Sequence, residues 1–420
     1  MKKKPRPRAF FSLILLSMLL ISCSAIPAHA ALSWNVQTVD DRAYATQRRC
    51  PIALDSKGLP HIAYTDVRVE SDRHQTPLVM YANWNGTVWN TQQIAIGYAL
   101  SLVLDAADHP HILYKRSLEP LMYASWTGSE WDIQTVDPNS TGGFSGFVAL
   151  DSYGNPHVAY TDGITVRYAV SNGSEWSVQT VAQYEDVEIP PKLSFVLDKD
   201  DTPYIMYRSA SYVYFSQDVG IQAINVTLPT YHDSRWKFQP LSLPTPIGDY
   251  GSLVVNSEGG LHSIFIQHYV SADNRVSSTL LYGSWNGTGW DTQVVSNIGL
   301  YDSMSLALDS RDSPHIIADG VYAGWTGTAW DVQATDVSGY LAVDAGGNLH
   351  VSWNVARNGS WVSANLMYAT ANATELAEAT PTPEVTPTFP DSPLLIVASA
   401  IIIGTVIAVI AYVWKKNTKR

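Results

Sequence analysis

The stretch LDSYGNPHVAYTD at residues 150–162 decides the fold, because versions of it recur along the chain. Phe147 and Ala149 before the turn, and Val158 and Tyr160 after it, are apolar at alternate positions, as in two short strands joined by a tight reversal. Asp151 opens the reversal by offering its carboxylate to backbone amides ahead of it, and Gly154 supplies a positive φ. The same pattern opens at Asp55, Asp105, Asp198, Asn256, Asp309 and Asp344, giving seven copies. The two strands are called A and B below.

Each copy is followed by a third strand, C, marked by a tyrosine in apolar surroundings: Tyr81, Tyr123, Tyr168, Tyr214, Tyr282, Tyr322 and Tyr368. A fourth strand, D, carries Trp-x-x-Gln, at Trp89, Trp131, Trp176, Trp236, Trp290 and Trp330. The seventh Trp-x-x-Gln, Trp34 with Gln37, stands at the other end of the chain, before the first A strand. A lone D strand at the start and an A-B-C set without one at the end call for a ring, in which the first strand completes the last sheet. The expected fold is all-β: a seven-bladed β-propeller over residues 31–372, closed by residues 34–39.

The ends read differently. Residues 1–30 have the form of an export signal, with Lys2, Lys3, Lys4, Arg6 and Arg8 ahead of an apolar run. Cleavage after Ala30 is expected, with acylation at Cys23 as the alternative. Residues 373–393 are rich in Thr and Pro and suit an extended stalk. Residues 394–414 contain no charge and are long enough for one transmembrane helix. Lys415, Lys416, Lys419 and Arg420 then place a short tail, residues 415–420, in the cytoplasm. The expected location is the cell membrane, single-pass, with the propeller outside.

Outside the signal and tail, 17 of the 26 basic residues face all 38 acidic ones, a net charge of −21. Nucleic acid is therefore excluded as a partner, while glycan and protein ligands stay open. Cys50 is the single cysteine beyond the signal and reads as a small buried residue. Seven Asn-x-Ser/Thr sequons, at Asn85, Asn139, Asn172, Asn225, Asn286, Asn358 and Asn372, are candidate glycosylation sites. Asn85, Asn172 and Asn286 precede glycine in the C-to-D hairpin, where a two-residue Asn-Gly turn would account for them without a glycan.

His61, His111, His157, His262, His315 and His350 share one slot at the start of strand B, with Tyr204 in the seventh copy. Catalysis needs such a residue once, so this ring reads as structural hydrogen bonding. No phosphate loop, nucleophile elbow or zinc spacing occurs, and no cofactor or metal is expected.

A-B turns look uniform, whereas the segments between strands B and C vary in length, long in blades 1, 5 and 7 and short in blade 6. Function is expected on the B-C and D-A face, with a cleft over blade 6. Side chains just before each strand A should ring the channel mouth there. The candidate ligand-binding residues are Arg49, Tyr98, Asp249, Tyr250, Tyr301 and Asp302, joined by Asp319 from blade 6. Residues 216–235 read as a long C-D loop on the opposite, membrane side.

The LDSxGxPHxxY, YAxWNG and WxxQTV repeats resemble those of surface propellers grouped with the fucose-specific lectin and sialidase-like superfamilies, whose Asp-box motifs they approach. That resemblance implies a propeller and a glycan-related role. Two features of those families are missing: no Trp follows the turn as in a sialidase Asp-box, and Arg and Glu do not recur between blades as in fucose lectins. The expected function is a membrane-anchored binder of glycan or protein that works without catalysis. The alternatives are a sialidase-like glycoside hydrolase and a structural envelope protein.

Overall fold

In the computed structural model, residues 31–41, 49–69, 75–116, 119–140, 145–163, 165–183, 193–209, 225–232, 235–240, 247–270, 276–287, 289–298, 304–318, 320–356 and 364–373 are described. They form seven four-stranded antiparallel sheets, six of them simple meanders and the seventh closed by the first strand of the chain. The innermost strands are Ile52–Leu54, Tyr98–Leu104, Gly146–Leu150, Leu193–Leu197, Ile247–Val255, Met304–Leu308 and Tyr340–Val343. Each contacts the next, and the last contacts the first, so the sheets close into the ring of a β-propeller. The closing sheet is built from both ends of the described chain: Asn35–Asp40 pairs with Ala364–Asn372, with Asn35 opposite Thr370. The signal, stalk and transmembrane segment read from the sequence lie outside the described residues.

The core is divided among the seams. Seven buried clusters each join one sheet to its neighbour; the cluster of Leu113, Tyr123, Val158 and Tyr160, for example, ties blade 2 to blade 3. A directional contact runs through six seams, where the strand C tyrosine of one blade meets the strand D tryptophan of the next. The pairs are Tyr81–Trp131, Tyr123–Trp176, Tyr168–Trp236, Tyr282–Trp330, Tyr322–Trp34 and Tyr368–Trp89, with centroids 5.2 to 6.3 Å apart and rings near edge-on. Such pairs add about 0.5–1.5 kcal/mol beyond area burial. At the seam from blade 4 to blade 5, Trp290 packs edge-on against Phe265 of its own blade.

Blade 4 also corrects the sequence reading. Strand C of blade 4 is Asn225–His232, not the segment at Tyr214, which lies outside the described residues. Its register sets Leu228 opposite Gln239, the place tyrosine takes in blade 3, where Tyr168 faces Gln179. Only residues 233–234 separate it from Arg235–Pro240, so the long connection is 210–224, between strands B and C. The tyrosine pattern misled because this one blade carries leucine in the slot.

All seven A-B turns use one device. The side-chain oxygen of the opening residue accepts two backbone amides: Asp55 Oδ1 takes Lys57 N at 2.9 Å and Leu59 N at 2.7 Å, and Asp105, Asp151, Asp198, Asn256, Asp309 and Asp344 repeat this. The backbone is uniform but the chemistry alternates, which corrects the first reading. Blades 1, 3 and 5 carry Ser56, Ser152 and Ser257; blades 2, 4 and 6 carry Asp108, Asp201 and Asp312 at φ 62°, 60° and 61°. Each serine donates its N–H and hydroxyl to the following aspartate, at 2.8 and 2.7 Å for Ser56 and Asp108. Left-handed backbone is unfavourable for aspartate by about 1 kcal/mol, and this paired bond offsets it. The C-D turns also differ from expectation. Asn85 N bonds Val88 O, so the two loop residues are Gly86, at φ 95°, and Thr87, while Asn85 sits outside and its side chain accepts the Thr87 and Val88 amides.

Candidate functional site

On the A-B face, the repeated histidines are absorbed by the fold. In six blades histidine Nδ1 meets the strand C tyrosine hydroxyl: His61 with Tyr81, His111 with Tyr123, His157 with Tyr168 at 2.5 Å, His262 with Tyr282 at 2.5 Å, His315 with Tyr322 at 2.8 Å and His350 with Tyr368 at 2.7 Å. Nε2 faces the turn aspartate in five of them, at 3.4 Å for His157 and Asp151. Burial lowers the pKa of His61, His111, His157, His262 and His350, and nearby aspartates recover part of that. In blade 4 both members change together: Tyr204 fills the histidine slot and its hydroxyl reaches Asp198 directly, at 3.2 Å.

The opposite face varies through strand length. Strand B of blade 5, Leu261–Val270, runs eight residues past His262, whereas strand B of blade 6, Pro314–Ala318, ends three past His315. At about 3.4 Å per residue the blade 5 hairpin is taller by roughly 17 Å. Blade 7, Asn348–Ala356, and blade 1, Pro60–Val69, also outreach blade 6. The walls expected as loops are thus mostly extended hairpins, and a notch stands over blade 6.

The predicted rim residues divide into three groups. Tyr301, Asp302 and Asp319 lie outside the described residues. Asp249 and Tyr250 fall inside the inner strand Ile247–Val255, opposite Ile266 and Phe265, because blade 5 is taller than its turn spacing implied. Tyr98 is likewise the first residue of its strand and faces Lys115 across the sheet. Arg49 precedes its strand as expected and is half-buried; its Nη1 is wholly buried and has no hydrogen-bond partner among the described residues. Beside it is Tyr340, at the start of the blade 7 inner strand, which the sequence reading left out although it occupies the same rim slot. Burial raises the Tyr340 phenol, and the Arg49 charge offsets part of that rise. A guanidinium nitrogen left buried without an acceptor suits a ligand oxygen that arrives from outside.

A second polar cluster, unnoticed in the sequence, lies at the seam of blades 2 and 3. Asp137 Oδ2 accepts from the Tyr160 hydroxyl at 2.6 Å and from Arg167 at 3.0 Å, and the other arm of Arg167 reaches Asp162 at 3.4 Å. One guanidinium thus bridges the two carboxylates and offsets one of their two charges. Lys115 adds a buried ammonium, and burial lowers its pKa against the pull of Asp162. The signal was present in the sequence: Lys115 stands four residues after the slot histidine, where blades 1, 3 and 5 have Thr65, Thr161 and Ile266.

No protein-family model matches the chain, and no curated protein matches it. Among solved structures, it is similar to a Penicillium chrysogenum α-L-arabinanase complexed with arabinobiose, at 11% identity over 80% of this chain and 98% of that one, with a TM-score of 0.49. An α-L-arabinofuranosidase from Fusarium graminearum in complex with an iminosugar inhibitor gives 8% identity, 81% and 99% coverage and a TM-score of 0.49. The SapL1 lectin in complex with α-methyl fucoside gives 14% identity, 70% and 98% coverage and a TM-score of 0.43.

Proposed function

We propose that this chain is a seven-bladed binding propeller, exported and held at the cell membrane by residues 394–414, that engages glycan or protein through its B-C and D-A face without catalysis. The contrast between the two faces carries this reading. On the A-B face each of the six slot histidines is bonded through Nδ1 to a strand C tyrosine of its own blade, and the turn residues are bonded to backbone amides. On the other rim, Arg49 Nη1 has no acceptor among the described residues, and it stands next to Tyr340 and beside hairpins of unequal height. Rim donors of this kind fix the orientation of a ligand rather than transform it. Glycan ligands are the first to test, since aromatic rings and free donors suit hydroxyl-rich partners.

The test is a glycan array probed with the full chain, run beside fluorogenic sialoside and fucoside hydrolysis. Selective binding that Arg49→Ala abolishes, with no turnover, is the expected result. Turnover would transfer the function to the hydrolase alternative. Silence in both assays would leave a protein partner.

A further inference from the structure

Three C-D turns share the sequence Asn-Gly followed by Ser or Thr: Asn85-Gly86-Thr87, Asn172-Gly173-Ser174 and Asn286-Gly287-Thr288. We infer that the first of them is a site of self-modification, at which Asn85 loses its side-chain nitrogen as ammonia and becomes aspartate or isoaspartate, while the other two are held back by their neighbours. This holds whatever ligand the opposite face takes.

The reaction is a ring closure open to an Asn-Gly bond because glycine has no side chain to shield its backbone nitrogen. Gly86 N gives up its proton to solvent hydroxide and attacks Asn85 Cγ, and the carbonyl electron pair moves onto Oδ1. As that pair returns, the Cγ–Nδ2 bond breaks, and Nδ2 takes a proton from water and leaves as ammonia, closing a succinimide. Water then adds to either ring carbonyl and opens the ring to aspartate or isoaspartate. Water is the sole co-reactant, and residues 85–88 are all exposed to it. The fold acts on the charge that develops at Oδ1. That atom already accepts Thr87 N at 2.9 Å, the Thr87 hydroxyl at 2.8 Å and Val88 N at 2.9 Å. Three donors converge on the oxygen that turns negative, so the turn is an oxyanion hole set in place before the reaction.

The sister turns show what restrains the same chemistry. Asn172 Oδ1 accepts an equivalent set, Ser174 N and hydroxyl at 3.0 Å and Glu175 N at 2.9 Å. Its nucleophile is tied, however, because Gly173 N donates to Ser171 Oγ at 3.0 Å. Blade 1 has Trp84 at the serine position, and an indole offers no oxygen to hold the glycine nitrogen. At Asn286 the leaving group is tied instead, since Nδ2 donates to both oxygens of Asp291 at 3.2 Å. The matching residue of blade 1 is Asn90, which carries no charge. Asn85 thus combines the three donors with neither the serine nor the carboxylate.

The test is to incubate the full chain, made in a host that adds no N-linked glycan, in mildly alkaline buffer and to follow the three asparagines by peptide mass spectrometry, with enzymatic methylation to count isoaspartate. Asn85 is expected to convert fastest of the three in the folded chain. Thr87→Val, which removes the hydroxyl donor and keeps the amide, should slow Asn85 about tenfold, the worth of one hydrogen bond to a charged oxygen. Ser171→Ala should speed Asn172 by freeing Gly173 N. The thermal midpoint of each variant is read in parallel, and every rate is repeated in urea, where the turn is absent. Conversion at Asn85 no faster than at Asn172 and Asn286 would overturn the inference. So would a Thr87→Val rate that is unchanged when folded, or slowed as much in urea, because the donors would then have no part in it. An Asn172 rate that Ser171→Ala leaves unchanged would overturn the restraint, and with it the assignment of Asn85 over its sister.

Discussion

The seam between blades 2 and 3 and the seam between blades 4 and 5 have the same topology and different chemistry. In the first, Tyr160 donates to Asp137 at 2.6 Å, Trp176 donates to Gln134 at 2.9 Å, and Trp176 meets Tyr123 edge-on. In the second, Pro240 follows Gln239 where strand D of blade 2 continues to Asp137, Phe265 replaces Tyr160, and Trp290 Nε1 is buried without an acceptor. The serine link persists, since Ser194 Oγ accepts Leu253 N at 2.9 Å as Ser101 Oγ accepts Val148 N at 3.2 Å. The difference teaches that the tyrosine and its aspartate are exchanged as a pair, whereas the strand D indole tolerates the loss of its acceptor, as Trp131 and Trp330 also show. Losing both members of a buried hydrogen bond is nearly neutral, whereas losing one leaves the other unsatisfied.

Breaking one member of a pair should therefore cost more than the blade 4–5 arrangement does. The largest effect is expected for Asp137→Ala, which takes the acceptor from the buried Tyr160 hydroxyl and from one arm of Arg167, leaving Asp162 to hold the other; a loss of about 3 kcal/mol or more should appear in urea unfolding. A loss below about 1 kcal/mol would mean the seam holds by packing alone. Next is Phe265→Tyr, which introduces the blade 3 hydroxyl without its aspartate and should cost about 1–3 kcal/mol. A neutral result there would show that water reaches the seam. Ser152→Ala removes one of the two bonds to the strained Asp201 turn, on an exposed face, and should cost about 1 kcal/mol by the same measurement.

The smallest effect concerns pH. The lowered histidines are neutral when folded, so as pH falls below their ordinary value of about 6.5 the unfolded chain takes up protons first and stability declines. Asp309 works at lower pH: burial raises its carboxyl, but bonds from His315, Ser313 and Arg311 outweigh this and hold it well below the usual range. Its stabilisation is present above about 3.9 and lost as pH falls through the folded value. His262 alone among the six has an asparagine, Asn256, at the turn instead of aspartate. Asn256→Asp should raise the His262 pKa and flatten the decline between pH 7 and 5, and an unchanged slope would show that the turn carboxylate has no hold on this ring.

Much of the ring could be read from the chain because its signals are local and repeated: the turn aspartates, the slot histidines and the displaced Trp34-x-x-Gln37. Blade 4 was misread for the converse reason, since its strand C carries Leu228 at the marker position and no local rule identifies a strand by an absent tyrosine. The alternation of Ser56, Ser152 and Ser257 with Asp108, Asp201 and Asp312 was visible as letters. It became meaningful only when neighbouring turns, about fifty residues apart, were brought into contact. For the site, Arg49 was legible from its place before a strand. The bridging of Asp137 and Asp162 by Arg167 was not, because the three residues come from different strands of two blades.

The pairing of Asn35–Asp40 with Ala364–Asn372 also fixes an order of events. A growing chain exposes its first strand long before the partner of that strand exists, so the ring cannot shut until residue 372 has been made. Until then Trp34 and Val39 have no neighbours in the closing seam, and the early blades must persist as an open arc with two bare edges. Closure is the last step and joins residues more than three hundred positions apart. A truncation that removes residues 364–372 should therefore injure the beginning of the protein as much as its end.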